Sequence, residues 1–144
     1  MSALYSSLED AIIGAGAGDG VFLGDGTMTR ISRVELHQFR FEAENLGLSA
    51  NTSSIGGLSY SRGARTAITK FAVQIVTEDG CEGRYVLNWG ASPSVYGQMQ
   101  MLAPMLVGQH AEERTGIYET LKREARQFDH MGHGPLDIAL WDWQ

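Results

Sequence analysis

The chain has little of what marks several common classes of protein. It has one cysteine, Cys81, among 144 residues, so no disulfide can form within it and a reducing compartment is expected. No apolar run reaches the ~18–20 residues that a membrane-spanning helix needs. Acidic residues outnumber basic ones by 17 to 11, and a net charge of −6 argues against nucleic acid as the main partner. Residues 1–10 contain no Lys or Arg, unlike a signal peptide, so the expected location is the cytoplasm.

The first 27 residues are rich in glycine and differ in composition from the rest. The run from Ala11 to Gly20 is similar to a phosphate-binding glycine turn, but the third glycine of the G-x-G-x-x-G pattern would fall at Asp19. No amphipathic helix follows this run either. We therefore interpret residues 1–27 as an extension, with Val21–Leu23 able to pair at a sheet edge, and place the main domain at residues 28–144.

Three segments show the alternation of apolar side chains that predicts β-strands. They are Arg30 to Glu42, Ala67 to Thr77 and Arg84 to Trp89, and a hairpin turn at Asp79-Gly80 joins the last two. The polar segment Asn45 to Arg65, rich in glycine and serine, separates the first two strands and is predicted to be a long loop. Loops of this length in compact domains are usually functional or disordered. The order predicts a three-stranded antiparallel sheet.

Helical periodicity begins after the third strand. Ser92 and Pro93 suit a helix start, and Pro104 is predicted to break this first helix. A second helix is predicted from Ala111 to Asp129, and a third begins near Pro135. Because the third helix is apolar on nearly all sides, we expect it to be buried between two partners. Strands followed by a helical bundle indicate an α+β domain.

Few residues have the pattern of a catalytic or metal site. Cys81 lies in the predicted hairpin beside acidic residues, which disfavour its thiolate. His130 and His133 have a spacing found in some metal sites, but no third ligand is evident, and a helix end is the preferred interpretation. Asp137 and Asp142 lie five residues apart, do not share a helix face, and are expected to hydrogen-bond groups of the helix or of an adjoining barrel. The residues alone predict no catalytic site.

Two motifs carry a family resemblance, Thr77-Glu-Asp-Gly-x-x-Gly83 in the hairpin and Gly134-Pro-Leu-Asp-Ile-Ala-Leu-Trp-Asp142 in the third helix. Together they resemble the N-terminal domain of the mandelate racemase/muconate-lactonizing branch of the enolase superfamily. The resemblance covers roughly Met28 to Gln144 and implies a small antiparallel sheet followed by a helical bundle. In that family a (β/α)₈ barrel follows, and this sequence lacks it, which would explain the missing partner of the third helix. The residues from Arg84 to Asn88 are bulkier than the family pattern and leave the subfamily open.

The resemblance implies a capping domain, with the barrel holding Mg²⁺ and the acid/base residues that abstract a proton α to a carboxylate. The fragment alone is then expected to be inactive and to bind no metal or cofactor itself. Its partners would be its own barrel domain or another subunit, and a carboxylate substrate, and a homo-oligomer is expected. Acid-sugar dehydration is favoured over racemisation because the polar segment carries two arginines. The alternative is a non-enzymatic module that binds a partner through its apolar C-terminal helix.

In this family two segments of the capping domain close over the substrate. On this sequence the resemblance places Tyr60, Arg62 and Arg65 in the first segment. It places Asn88 and Trp89 in the second. An arginine there would pair with a substrate carboxylate, and Trp89 would line the pocket. For each of these residues, an ordinary loop position remains the alternative.

Overall fold

A computed structural model describes residues 6–14, 28–48, 57–87, 93–127 and 131–143 of the chain. The elements found in these ranges are β1 (Ser6–Gly14), β2 (Ile31–Leu48), β3 (Leu58–Thr77), β4 (Glu82–Val86), α1 (Pro93–Leu102), a 3-10 turn (Ala103–Met105), α2 (Arg114–Ala125) and α3 (His133–Asp142). No helix in the described ranges is long and apolar enough to cross a membrane.

The sheet has the order β1-β2-β3-β4, and every neighbouring pair is antiparallel. The α+β class and the three predicted strands, now β2, β3 and β4, are confirmed. A fourth strand, β1, lies inside the segment interpreted as an extension and pairs with β2 from Arg33 to Arg40. The edge pairing predicted for Val21–Leu23 lies outside the described residues.

The prediction of a long loop from Asn45 to Arg65 is wrong over much of its length. Strand β2 continues to Leu48 and β3 begins at Leu58, so the two strands form a long hairpin. Among the described residues, residues 41–48 pair in the sheet only with residues 58–68. We call this two-stranded ribbon the arm.

A bulge in the arm explains why its sequence resembles a loop. Asn45 alone faces residues 61–64, because the ladder resumes between Leu46 and Tyr60. Asn45 and Gly63 both have positive φ angles, 61° and 79°, which the left-handed region of backbone space favours for Asn and Gly. The Asn45 side-chain oxygen accepts a hydrogen bond from the Gly63 N–H at 2.9 Å. Residues typical of turns here belong to an interrupted ladder.

The core lies between the helices and one face of the sheet. Val34 and Leu36 of β2 face Ile75 and Val73 of β3, and all four are essentially inaccessible. They pack against fully buried residues of the helices and of the turn after the 3-10 segment, which include Leu102, Leu106, Leu121, Leu136 and Leu140. Burying side chains of this size stabilises the fold by about 1.5–3 kcal/mol each.

The helices follow the predicted order with shifted boundaries. α1 begins at Pro93, and the 3-10 turn contains Pro104, so the predicted start and break are confirmed. α2 begins at Arg114 instead of Ala111, because Glu113 has a non-helical ψ of 41°; the Ala111 N–H bonds to the Thr29 carbonyl just before β2. This bond fixes the segment before α2 to β2 in a non-helical turn.

Candidate functional site

The arm carries three of the five predicted site residues. Tyr60, Arg62 and Arg65 lie on β3, not in a loop, and all three are exposed. Tyr60 is paired across the ladder with Leu46 and is 76% exposed. The structure therefore brings these three residues together on one end of the hairpin, in the bulge and directly beside it.

The two arginines of the arm have different surroundings. Arg65 lies opposite Glu44, and its Nη2 approaches the Glu44 Oε1 at 3.2 Å, while its Nη1 lies 4.0 Å from Glu42 Oε2. Arg62 lies in the bulge and forms no hydrogen bond or ion pair with any residue that the structure describes. The charge of Arg65 is therefore compensated by the arm itself, whereas that of Arg62 is available.

The other two predicted residues, Asn88 and Trp89, lie outside the described residues. The geometry before them is clear. β4 runs from Glu82, opposite Val76, to Val86, opposite Ala72, and the next N–H, of Leu87, bonds to the Phe71 carbonyl at 2.9 Å. The chain thus leaves β4 at the end nearer the arm. The bonding position of Leu87, at Phe71, is about 20 Å along β3 from Arg65.

The described part of the arm ends in an apolar pair, and residues 49–56, which join its two strands, lie outside the described residues. Leu48 and Leu58 face each other in the last pair of the ladder and are 75% and 41% exposed. A two-stranded ribbon alone is marginally stable in water, and exposed apolar side chains at its end favour contact with another surface. The arm therefore presents exposed apolar surface at the end of its described ladder.

The hairpin of the first resemblance motif is held by Thr77 and Asp79. Gly80 has a φ of 84°, which a residue with a side chain rarely adopts. Asp79 Oδ1 accepts hydrogen bonds from the Thr77 hydroxyl at 2.5 Å and from the Cys81 N–H at 3.1 Å. The Thr77 hydrogen bond, more than any other contact, lowers the pKa of the Asp79 carboxyl, and Asp79 in turn raises the pKa of the exposed Cys81 thiol. The geometry agrees with the expectation that the Cys81 thiolate is disfavoured.

The two resemblance motifs contact each other directly. A Cβ at Gly83 would lie 2.1 Å from the Ala139 carbonyl oxygen, so α3 packs on the backbone of β4. Asp142 Oδ2 accepts a hydrogen bond from the Arg84 N–H at 2.9 Å, and the Trp143 indole N–H donates to the Thr77 hydroxyl at 2.9 Å. These residues maintain the structure. The sequence predicts helix or barrel groups as the hydrogen-bond partners of Asp142, whereas the partner found is a backbone N–H of β4.

The outward side of α3 is left exposed by the residues that the structure describes. Ile138 is 43% and Trp141 58% exposed, whereas Leu136 and Leu140 on the other side are buried. The Arg114 guanidinium lies 4.1 Å from the centre of the Trp141 ring, an arrangement that holds the indole in place. The sequence predicts that both sides of this helix are buried. The described residues bury one side only.

The described residues offer no other constellation for chemistry. No group of three His, Cys, Asp or Glu side chains that could hold a metal ion comes together in the described ranges, and His130 lies outside them. A pocket of about 200 Å³ between the 3-10 turn and α2 has Glu113 as its ionisable lining residue and no cation to pair with a carboxylate. The arm thus remains the candidate site for contact with a substrate.

Solved structures of several enzymes share this fold. The chain is similar to L-talarate/galactarate dehydratase from Salmonella typhimurium LT2, crystallised with Mg and L-lyxarohydroxamate, at 20% identity and a TM-score of 0.63, with 90% of this chain and 34% of that one covered. The chain is 18% identical to D-glucarate dehydratase from Agrobacterium tumefaciens, complexed with magnesium, with a TM-score of 0.59; the match covers 81% of this chain and 29% of that one. The chain is 23% identical to an isomerase from Streptomyces coelicolor, with a TM-score of 0.56; the match covers 80% of this chain and 28% of that one.

These likenesses define the fold as an α+β domain, and the chain spans about a third of the length of the structures it matches. No curated protein sequence matches significantly. The model of the mandelate racemase/muconate lactonizing enzyme N-terminal domain matches residues 48–144, and the chain belongs to that family. The resemblance inferred from the two motifs is confirmed.

Proposed function

We propose that this chain is the capping and substrate-specificity domain of a Mg²⁺-dependent enolase-superfamily enzyme that removes a proton α to a carboxylate. The observation that carries the proposal is the arm, an exposed ribbon that has an apolar last ladder pair and an available arginine, in a domain of this family. Dehydration of an acid sugar is the reaction that we favour. The names of two similar structures, dehydratases of D-glucarate and of L-talarate/galactarate, support this choice.

In this proposal the domain binds and encloses the substrate, and the rest of the enzyme performs the chemistry. Active sites of (β/α)₈ barrels lie at the open end formed by the loops after the strands. The arm would close over this end, exclude water and contribute Tyr60, Arg62 and the tip to the substrate pocket. Mg²⁺ would stabilise the negative charge that develops when the proton leaves, and we place its ligands in the barrel.

The outward side of α3 is the surface that we propose for docking to the barrel, either of the same chain or of another subunit. Ile138 and Trp141 are exposed at its centre. Covering one such side chain contributes about 1.5–3 kcal/mol, so an uncovered pair favours association. A non-enzymatic module would use the same helix for a different partner, and the presence or absence of turnover separates the two functions.

We expect the isolated 144-residue chain to self-associate through this surface. Ile138→Glu should shift the population towards monomer in sedimentation velocity, because a charge on this side opposes apolar contact. Glu119→Gln, on the exposed side of α2, is the matched control and should not change the distribution. A wild-type chain that is monomeric, with Trp141 shielded from a fluorescence quencher, would contradict the docking role of α3.

The proposed function is tested with the longest natural protein that contains this domain. We expect it to dehydrate at least one acid sugar of a panel of aldarates and aldonates in the presence of Mg²⁺, with activity lost in excess chelator and restored by Mg²⁺. The measurement is formation of the keto-acid product, detected as its semicarbazone. Turnover that persists in chelator, or the absence of any turnover across the panel, would count against an acid-sugar dehydratase.

A further inference from the structure

We propose that Arg62 binds a second carboxylate of the substrate, so that the enzyme acts on diacids, and that Arg65 positions the arm without contacting the substrate. This inference rests on the proposed function and assigns separate tasks to two arginines that the sequence treats alike. It follows from the register of the arm and from the charges around each guanidinium.

Arg65 is already occupied by the arm. Its guanidinium lies 3.2 Å from the carboxylate of Glu44, which faces it on β2, and 4.0 Å from the carboxylate of Glu42, which is also on β2. Two carboxylates beside one guanidinium leave no excess positive charge to attract an anion. These contacts connect β2 to β3 next to the bulge, so the role of Arg65 is to maintain the position of the ribbon.

Arg62 has the opposite setting. It lies in the four-residue side of the bulge, where no carboxylate of the described residues compensates its charge. After Arg62 the bulge is fixed by the bond between Gly63 and Asn45 and by the Thr66 hydroxyl, which donates to the Leu46 carbonyl at 2.6 Å; before Arg62 the ladder continues at the pair of Tyr60 and Leu46. Bulges commonly redirect a side chain next to an active site. The backbone of Arg62 is therefore held in place while its guanidinium remains free to bind a ligand.

The charge of Arg62 indicates the class of substrate. The proposed reaction uses one carboxylate, the one next to the carbon that loses its proton, and that group binds in the barrel. When the arm closes, Arg62 is taken out of water, which is unfavourable unless an anion accompanies it. A guanidinium presents a planar pair of donors that matches a carboxylate. A substrate with a carboxylate at each end satisfies both positions.

The experiment compares matched acids in the full-length enzyme. Galactarate has two carboxylates, whereas galactonate has a hydroxymethyl group in place of one; D-glucarate and D-gluconate form a second pair. We expect Arg62→Ala to lower the ratio of kcat/KM for diacid over monoacid by about 10- to 100-fold, the effect of losing a charged hydrogen bond. Arg62→Lys should recover part of this ratio, because it keeps the charge but not the paired donors.

Arg65→Ala is the matched control, because Arg65 lies on the same strand directly after the bulge. It should leave the diacid-to-monoacid ratio at the wild-type value, while lowering the thermal stability or changing kcat/KM for both acids equally. An unchanged ratio in Arg62→Ala, or an equal fall of the ratio in Arg65→Ala, would overturn the assignment and leave the proposed function standing. A wild-type enzyme that dehydrates only the monoacids would do the same. Turnover of none of the four acids would overturn both.

Discussion

Gly83→Ala is expected to destabilise the domain by about 3 kcal/mol, the upper part of the range for overpacked sites. The added Cβ would lie 2.1 Å from the Ala139 carbonyl oxygen and 2.6 Å from the Trp143 nitrogen. Both are backbone atoms of the α3 segment, so no rotation of a side chain can relieve the contact. The helix would have to move away from β4, which would also weaken the bond between Asp142 and the Arg84 N–H.

Urea denaturation of the chain measures this effect, followed by circular dichroism. Gly116→Ala in α2 is the control, because a Cβ there meets no atom within 4 Å. It should be neutral or stabilise by up to about 1 kcal/mol, since alanine favours a helix interior over glycine. Equal midpoints for the Gly83→Ala and Gly116→Ala proteins would show that α3 does not pack against β4 as described.

Shortening the arm is expected to lower kcat/KM of the full-length enzyme by about 100-fold or more, because positioning and exclusion of water are both lost. The change replaces residues 47–59 with Asn-Gly, which closes the ladder between the facing residues Leu46 and Tyr60 with a two-residue turn. The removed tip contains the exposed pair Leu48 and Leu58, so its loss should have little effect on the unfolding temperature.

Two controls separate a role in closure from a general effect on folding. The thermal melt of the shortened protein should match that of the wild type, and Leu58→Ser, which changes one tip residue alone, should have a smaller effect on kcat/KM. Shortening that leaves kcat/KM within a few-fold of the wild type would show that the arm does not close over the substrate, whatever its arginines do.

Most of the fold could be predicted from local sequence signals. The alternation in β3 and the Asp79-Gly80 turn identify the hairpin, and Pro93 and Pro104 mark the start and the break of the first helix. These signals depend on neighbours a few residues apart, which the sequence shows directly. Their agreement with the structure reflects backbone preferences that hold in isolation.

The arm could not be predicted in the same way, because strand register depends on residues far apart in the chain. Asn45 and Gly63 are typical of turns, and their role in a bulge appears only when the ladder on both sides is known. The strand β1 lies in a glycine-rich segment whose composition disfavours strands.

The candidate site was predicted in part. The resemblance identified Tyr60, Arg62 and Arg65, and the structure brings them together, although their contact with a substrate remains a prediction. The difference between the two arginines was missed, since it depends on Glu44 facing Arg65. Two acidic residues at alternate positions of β2 were the available signal. Asn88 and Trp89 lie outside the described residues and stay predictions.

The close packing of Gly83 on α3 has a consequence for protein engineering. Backbone touches backbone at this contact, and Trp143 reaches the hairpin through Thr77, so the two segments are matched to each other although about 60 residues separate them. Recombination with a homologous gene should therefore exchange residues 77–84 together with residues 133–143. A crossover placed between them would combine a hairpin and a helix from different parents, and we expect such chimaeras to be recovered rarely from a shuffled library.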